Sequence, residues 1–315
     1  RFTGGKMAEI DYSQLEVVVQ GVLSRDRQLM ADLNNRVDFH CKRLAATLGE
    51  AYEEVWAKCH VSGTDEYKAW EKTAKDGDTF MWRGVTITKD IIVVYKKGRT
   101  NAKIFSFQRA YGAGAETIAT ETGMRRSEVD ELIAAEERLY PDVVEFDKKL
   151  EASINSNRIQ TDTKLFINSV AFPRGESHWD SPTGTRYVWR EGITPDFMHK
   201  HGKYVGFSPT ERKNYPVQGF GGEIVQAMLG KVFRYMLAND RFNGELLLVN
   251  TVHDCLWLDG KNEELLKRVA LEVQDILESV PRVFNEAFPN LNVEVPFPCE
   301  TELGVDMYDM EVLHK

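Results

Sequence analysis

Four apolar pairs, Ile224/Val225, Met228/Leu229, Val232/Phe233 and Met236/Leu237, recur every four residues along one segment. That spacing predicts a strongly amphipathic helix, running on from Gln218-Gly219-Phe220-Gly221-Gly222, whose apolar stripe has to be covered by another layer. Covering elements follow directly in the chain. Glu245 to Val252 and Cys255 to Asp259 read as two strands meeting at His253-Asp254, an amphipathic helix is predicted from about Glu263 to Phe288, and a last strand surrounds Val293 to Leu303. With 315 residues, 42% of them apolar, the chain is long enough to bury a core and to divide into two lobes.

Upstream, Met7 to Ile10 alternates apolar and polar residues and predicts a short strand with Asp11 at its end, followed by a helix over Tyr12 to Leu23. Phe39 to Leu48 is helical in pattern and stops at Gly49. Glu50 to Gly98 is polar, aromatic-rich and irregular, with a strand-like part over Gly84 to Tyr95. Helices are predicted from about Arg99 to Thr120 and from Ser127, as N-cap, to Tyr140, where Pro141 breaks or kinks the path before a continuation to Ser153. Short strands over Phe166 to Tyr204 surround a Pro182-Thr183-Gly184 turn.

Apolar runs such as Leu246 to Val249 and Ile91 to Val94 fall far short of the ~20 residues of a membrane helix, and the N-terminus lacks the plan of a signal peptide. A cytoplasmic location without a membrane partner is expected. The net charge of −9 speaks against a surface that is basic throughout, yet basic residues gather at Lys96, Lys97, Arg99, Lys103 and Arg109, and again at Arg212 and Lys213. Cys41, Cys59, Cys255 and Cys299 form no CxxC pair, which fits a reducing compartment. His40, Cys41, Cys59 and His60 are ligand types for zinc, but their spacing matches no common site, so zinc is not expected.

Asp11, at a strand end, and Asp254, in a tight turn between apolar strands, each stand on a rigid element. Singly, either reads as a turn or cap residue. As a pair on adjacent strands they suit two divalent ions ~3.5–4 Å apart, an arrangement that serves in-line phosphoryl transfer. Arg99, Lys103, Phe107 and Tyr111 are spaced by four and would form one stripe, with the cations near a helix N-terminus and the aromatics beyond. Such a stripe suits a triphosphate at one end and a base at the other; it equally suits a helix with a solvated basic start and core aromatics. Gly112-Ala113-Gly114 and Gly219-Phe220-Gly221-Gly222 lack the GK[ST] of a phosphate loop and read as turns or points of close backbone approach.

Taken together, these segments resemble the three motifs of family A DNA polymerases, in order and with matching separations. Asp11-Tyr12-Ser13-Gln14-Leu15-Glu16 resembles motif A, Arg99-x3-Lys103-x3-Phe107-x3-Tyr111-Gly112 motif B, and Val252-His253-Asp254 motif C. Asp38-Phe39-His40 resembles the histidine segment after motif A, and Asn214-x-Pro216-x-Gln218-Gly219 the helix that meets the primer-template minor groove. The resemblance implies an α/β (α+β) fold, with a palm of antiparallel sheet from 1–26 and 208–315 and mainly helical fingers from 27–207. It implies a DNA-directed DNA polymerase similar to bacterial polymerase I, with two Mg²⁺ ions (or Mn²⁺) on Asp11 and Asp254. The dNTP would be held by His40, Arg99 and Lys103, with Gln14 at the nucleotide site and Phe107 against the sugar. Glu16 would be the steric gate against a 2′-hydroxyl, and Tyr111 would take the template-base position. Asn214, Gln218 and His253, with Tyr111, would touch primer-template DNA.

Cys255 stands where the family commonly has Glu, Gln108 where Gly is frequent, and Val18 where Arg is frequent, and Glu50 to Gly98 is longer than usual. These departures resemble a divergent phage-type branch acting in a host cytoplasm. Only ten residues precede Asp11, so the thumb and exonuclease-like domains are expected on a separate chain or removed segment. Two other readings stay open: a single-subunit RNA polymerase, against which Glu16 argues, and a non-catalytic nucleic-acid-binding subunit.

Overall fold

The computed structural model describes residues 2–110 and 113–314 and, of Phe107 and Ala110, the backbone alone. The chain begins with β1 (Lys6–Tyr12), α1 (Leu15–Ser24), α2 (Arg27–Asn34), α3 (Phe39–Leu48), α4 (Tyr52–His60) and α5 (Asp65–Glu71). It continues through β2 (Phe80–Trp82), β3 (Val85–Ile87), α6 (Lys89–Ala110), α7 (Ala115–Thr122), α8 (Arg126–Leu139) and α9 (Pro141–Ser156). There follow β4 (Ile159–Ile167), β5 (Val170–Asp180), β6 (Arg186–Arg190), β7 (Gly192–Ile193), α10 (Asp196–His199), β8 (Val205–Gly206) and α11 (Pro209–Ala238). The last elements are β9 (Leu246–Val252), β10 (Cys255–Gly260), α12 (Glu263–Glu278), α13 (Val280–Ala287), β11 (Cys299–Gly304) and β12 (Met310–Val312). Among the described residues no helix is long and apolar enough to cross a membrane.

Two compact units result: Arg1–Arg25 with Lys149–Ser208 and Asn214–Lys315, and Asp26–Lys148 with Pro209–Lys213. Residues 149–208, grouped with the fingers in the sequence reading, thus cluster with the first unit. That unit is built on an antiparallel sheet of order β12-β11-β1-β10-β9. Ala8, Ile10 and Tyr12 of β1 and Leu256 and Leu258 of β10 are buried on one face, where α12 supplies Leu266, Val269, Ala270, Val273 and Leu277. Each large side chain so buried contributes about 1.5–3 kcal/mol relative to exposure. The Tyr12 hydroxyl donates to the Leu277 carbonyl at 2.9 Å, which fixes this face and turns Glu9 and Asp11 to the opposite one.

Several predicted boundaries move, each for a tertiary reason. Gly219, Gly221 and Gly222 are not a turn: α11 starts at Pro209 and runs through them. A Cβ at Gly219 would overlap the Tyr187 ring, so glycine there lets that side chain approach the helix. The predicted Glu263 to Phe288 helix divides at Ser279, because Pro281 lacks an N–H and its ring clashes with a continuing turn.

In the second unit, α3 has the predicted bounds: Asp38 caps its start and Gly49, at φ 70°, ends it. The strand expected over Gly84 to Tyr95 ends at Ile87, and α6 begins at Lys89, ten residues before Arg99. Its β-branched run Ile91 to Val94 and Gly98 both disfavour helix, but a Cβ at Gly98 would lie 3.0 Å from Leu44, so glycine admits the packing of α3 on α6 that stabilises the helix. Ser127 is not the N-cap of α8; Arg125 is, its N–H donating to Glu128 at 2.8 Å.

Candidate active site

The central strand β1 has a neighbour on each side, and its register pairs Asp11 with Cys255 of β10 and Glu300 of β11. Val252 pairs with Cys255, so His253 and Asp254 form the connection, with His253 in the left-handed region at φ 55°. That conformation costs about 1–2 kcal/mol and is held by the hairpin around it. Asp254 is thereby set beside Cys255, the strand partner of Asp11, close enough for the two carboxylates to repel each other.

Both aspartates are half-buried. Burial, then the charge of Asp254, then those of Glu9 and Glu300 push Asp11 up to about 7. Burial also raises Asp254, opposed by its own backbone N–H and by His253. Glu16, in the first turn of α1, is raised by burial and next by Asp254. Asp11, Asp254 and Glu16 are therefore brought together. Gln14 is exposed at the N-cap of α1, with φ 58° and no side-chain cap bond. Sequence reasoning misses Glu9 and Glu300; the signal for Glu9 is its place two residues before Asp11, on the same strand face. The donor set is all oxygen and its like charges accumulate on rigid strands, so it fits hard divalent cations such as Mg²⁺, which Asp11 and Asp254 would hold.

Cys255 departs from this pattern. Its thiol donates to the Val252 carbonyl at 3.1 Å and its sulfur accepts from Trp257 Nε1 at 3.1 Å. Burial and next Glu9 push the thiol up to about 12, so Cys255 is a neutral packing group and no thiolate. On α11, Asn214 is buried with its Oδ1 bonded to nothing among the described residues, whereas Gln218, one turn on, is exposed.

In the second unit, Arg99 and Lys103 lie mid-helix on α6, not at its N-terminus, so they act through their own charges and not through free backbone N–H groups. Arg99 donates to Asp38 Oδ2 at 2.8 and 2.9 Å, while Lys103 is exposed. His40 neighbours both: burial, then Arg43, then Arg99 and Lys103 outweigh the attraction of Asp38 and push its ring down to about 4, leaving it neutral at pH 7. Asp38 is the hub that sequence reasoning overlooks as more than a motif residue. Its Oδ1 accepts from the His40 and Cys41 N–H groups at 3.0 Å, and its Oδ2 also accepts from His60 Nε2 at 2.9 Å. Burial works to raise Asp38, but the bonds from His60, Cys41 and Arg99 win and hold it well below the carboxylate range. Phe107 lies on α6, but its side chain, like Tyr111 and Gly112, lies outside the described residues.

The profile of DNA polymerase family A matches residues 54–309. The chain belongs to DNA polymerase family A. Asp254, Asn214, Gln218, Arg99 and Lys103 fall inside that span, and Asp11, Gln14, Glu16 and His40 precede it. A DNA polymerase I of Caldicellulosiruptor bescii is 22% identical over 306 residues, 97% of this chain and 27% of that protein. A DNA polymerase of Mycobacterium phage D29 is 23% identical over 154 residues, 49% of this chain and 19% of that protein. The chain thus spans under a third of the length of either relative. Among solved structures, the POL domain of Pol1 from M. smegmatis, in complex with DNA primer-template and dNTP, superimposes with a TM-score of 0.58 over 96% of this chain and 40% of that one, at 15% identity. This likeness establishes the family A fold.

Proposed function

We propose that this chain is the palm-and-fingers part of a DNA-templated DNA polymerase that extends a primer 3′-end in phage DNA replication. The five-stranded sheet with α12 is the palm, and helices α2 to α8 are the mainly helical fingers. The observation that carries the reading is the strand register that sets Asp254 next to Cys255, the partner of Asp11, so that two half-buried carboxylates and Glu16 act on one another's charge. The names of the two relatives and the primer-template DNA and dNTP bound by the M. smegmatis domain support DNA and dNTP as the partners.

Asp11 and Asp254 would hold two Mg²⁺ ions, or Mn²⁺. Such ions supply charge neutralisation on the attacking and leaving oxygens of an in-line phosphoryl transfer. Arg99 and Lys103 bind the triphosphate, Arg99 exchanging Asp38 for phosphate oxygens, and His40, being neutral, serves as a hydrogen-bond donor. Phe107 packs against the sugar, Tyr111 takes the template-base position, and Gln14 borders the nucleotide. Glu16 fills the space that a 2′-hydroxyl needs. Asn214, Gln218 and His253 contact the primer-template.

Single-nucleotide insertion on primed DNA, with dNTPs and rNTPs in parallel, tests this reading. Selective dNTP insertion that relaxes toward rNTPs in Glu16→Ala is the expected result. Equal use of both by the wild type would support the single-subunit RNA polymerase instead, and insertion of neither, with the remaining parts of the polymerase supplied as a second polypeptide, the non-catalytic subunit.

A further inference from the structure

The second unit holds a cluster of which the polymerase reading uses only Asp38, as the partner of Arg99. Asp38, at the start of α3, Cys41 in its first turn and His60, the last residue of α4, place one ligand atom each within 4.8 Å of one another. Cys41 Sγ lies 3.8 Å from His60 Nε2, which lies 2.9 Å from Asp38 Oδ2. Zinc bonds of ~2.3 Å to sulfur and ~2.0–2.1 Å to nitrogen or oxygen set tetrahedral ligand atoms roughly 3.3–3.6 Å apart, so these separations need adjustments of only a few tenths of an ångström. The Cys59 thiol donates instead to the Tyr95 carbonyl at 3.5 Å, so the set is these three ligands with a fourth position open to solvent. The Cys41 sulfur is buried, and the His60 ring is held by stacking on Trp56, with centroids 4.9 Å apart.

Charge agrees with geometry. One thiolate and one carboxylate balance a dication, and the Arg99 guanidinium holds the carboxylate in position through Asp38 Oδ2. The sequence pattern conceals the set, because the third ligand is the carboxylate of Asp38 and not the imidazole of His40.

We propose that Asp38, Cys41 and His60 form a Zn²⁺ site that ties α3 to α4 and, through Asp38, steadies Arg99 on α6. The inference does not depend on the polymerase reading. Its test is metal analysis of the reduced, full-length protein after exposure to Zn²⁺ and exhaustive dialysis, together with Co²⁺ titration followed by absorption. Stoichiometric zinc and a thiolate-to-cobalt charge-transfer band are expected in the wild type and equally in Asp254→Asn. Both are expected to disappear in Cys41→Ser and in His60→Gln; the latter leaves the buried sulfurs in place, and circular dichroism confirms its fold. Zinc retained equally by a Cys41→Ser/His60→Gln double variant, or cobalt bound without a charge-transfer band, would overturn the site.

Discussion

The acids of the first unit and the cations of the second are stabilised in opposite ways. The register that pairs Asp11 with Cys255 sets Asp254, the residue before it in the hairpin turn, near Asp11, and neighbouring carboxylates add to the same-sign field. Arg99 and His60 instead converge on Asp38, which compensates them inside the unit. An uncompensated acid pair on rigid strands waits for a cation from outside, whereas a compensated cation has to exchange its partner before it can take a phosphate. The functional groups of the sheet are therefore held at a cost to stability, and those of the helices are part of what stabilises them.

The largest effect that sharpens this contrast is Asp11→Asn. Primer extension should fall about a thousandfold, or about 4 kcal/mol of transition-state stabilisation, while calorimetry should find the melting temperature unchanged or raised, since a like-charge contact is removed. A clear fall in melting temperature would mean that the pair is structural.

Glycines inside helices give the next comparison. Gly219→Ala should cost about 3 kcal/mol in denaturant unfolding, because its Cβ meets the Tyr187 ring, which a hydroxyl bond to Glu223 holds in place. Glu191 then contrasts with Asp11 within one unit. Its carboxylate takes both Arg158 nitrogens at 2.7 Å and the Gly175 N–H at 2.6 Å, and although burial works to raise it, Arg158 holds it below its ordinary value of 4.5. Its stabilisation is fully present above pH 4.5 and lost as pH falls through the depressed folded value. Glu191→Ala should cost about 2 kcal/mol at neutral pH and leave a shallower acid limb in unfolding.

Arg99→Ala should raise the dNTP KM about tenfold, or about 1.4 kcal/mol, with a smaller change in kcat; an unchanged KM would show that Arg99 serves only Asp38. Smallest is Gly98→Ala, which meets only the flexible end of Leu44 and gains helix propensity. The net change in unfolding free energy should stay under about 1 kcal/mol.

What could be read from the sequence follows from range. Asp38 and Gly49 mark α3 because capping is local, and Asp11 and Asp254 are placed by a period-two pattern and a tight turn. The starts of α6 and α11 escape because Gly98 and Gly219 are helix-breaking by propensity and are called for by Leu44 and Tyr187, residues distant in sequence. The Asp38 hub escapes for the same reason: His60 and Arg99 reach it from other helices, and spacing along the chain carries no trace of that meeting. Glu300 joins the acid face only through the register of β11.

The most direct test is primer extension on a primed DNA template with Mg²⁺ and dNTPs, comparing wild type with Asp254→Asn, each alone and with the remaining parts of the polymerase supplied as a separate polypeptide. Extension by the wild type that Asp254→Asn abolishes, with dNTP-independent DNA binding intact, is the predicted result. Extension that survives Asp254→Asn, or that neither protein shows under either condition, would contradict the account.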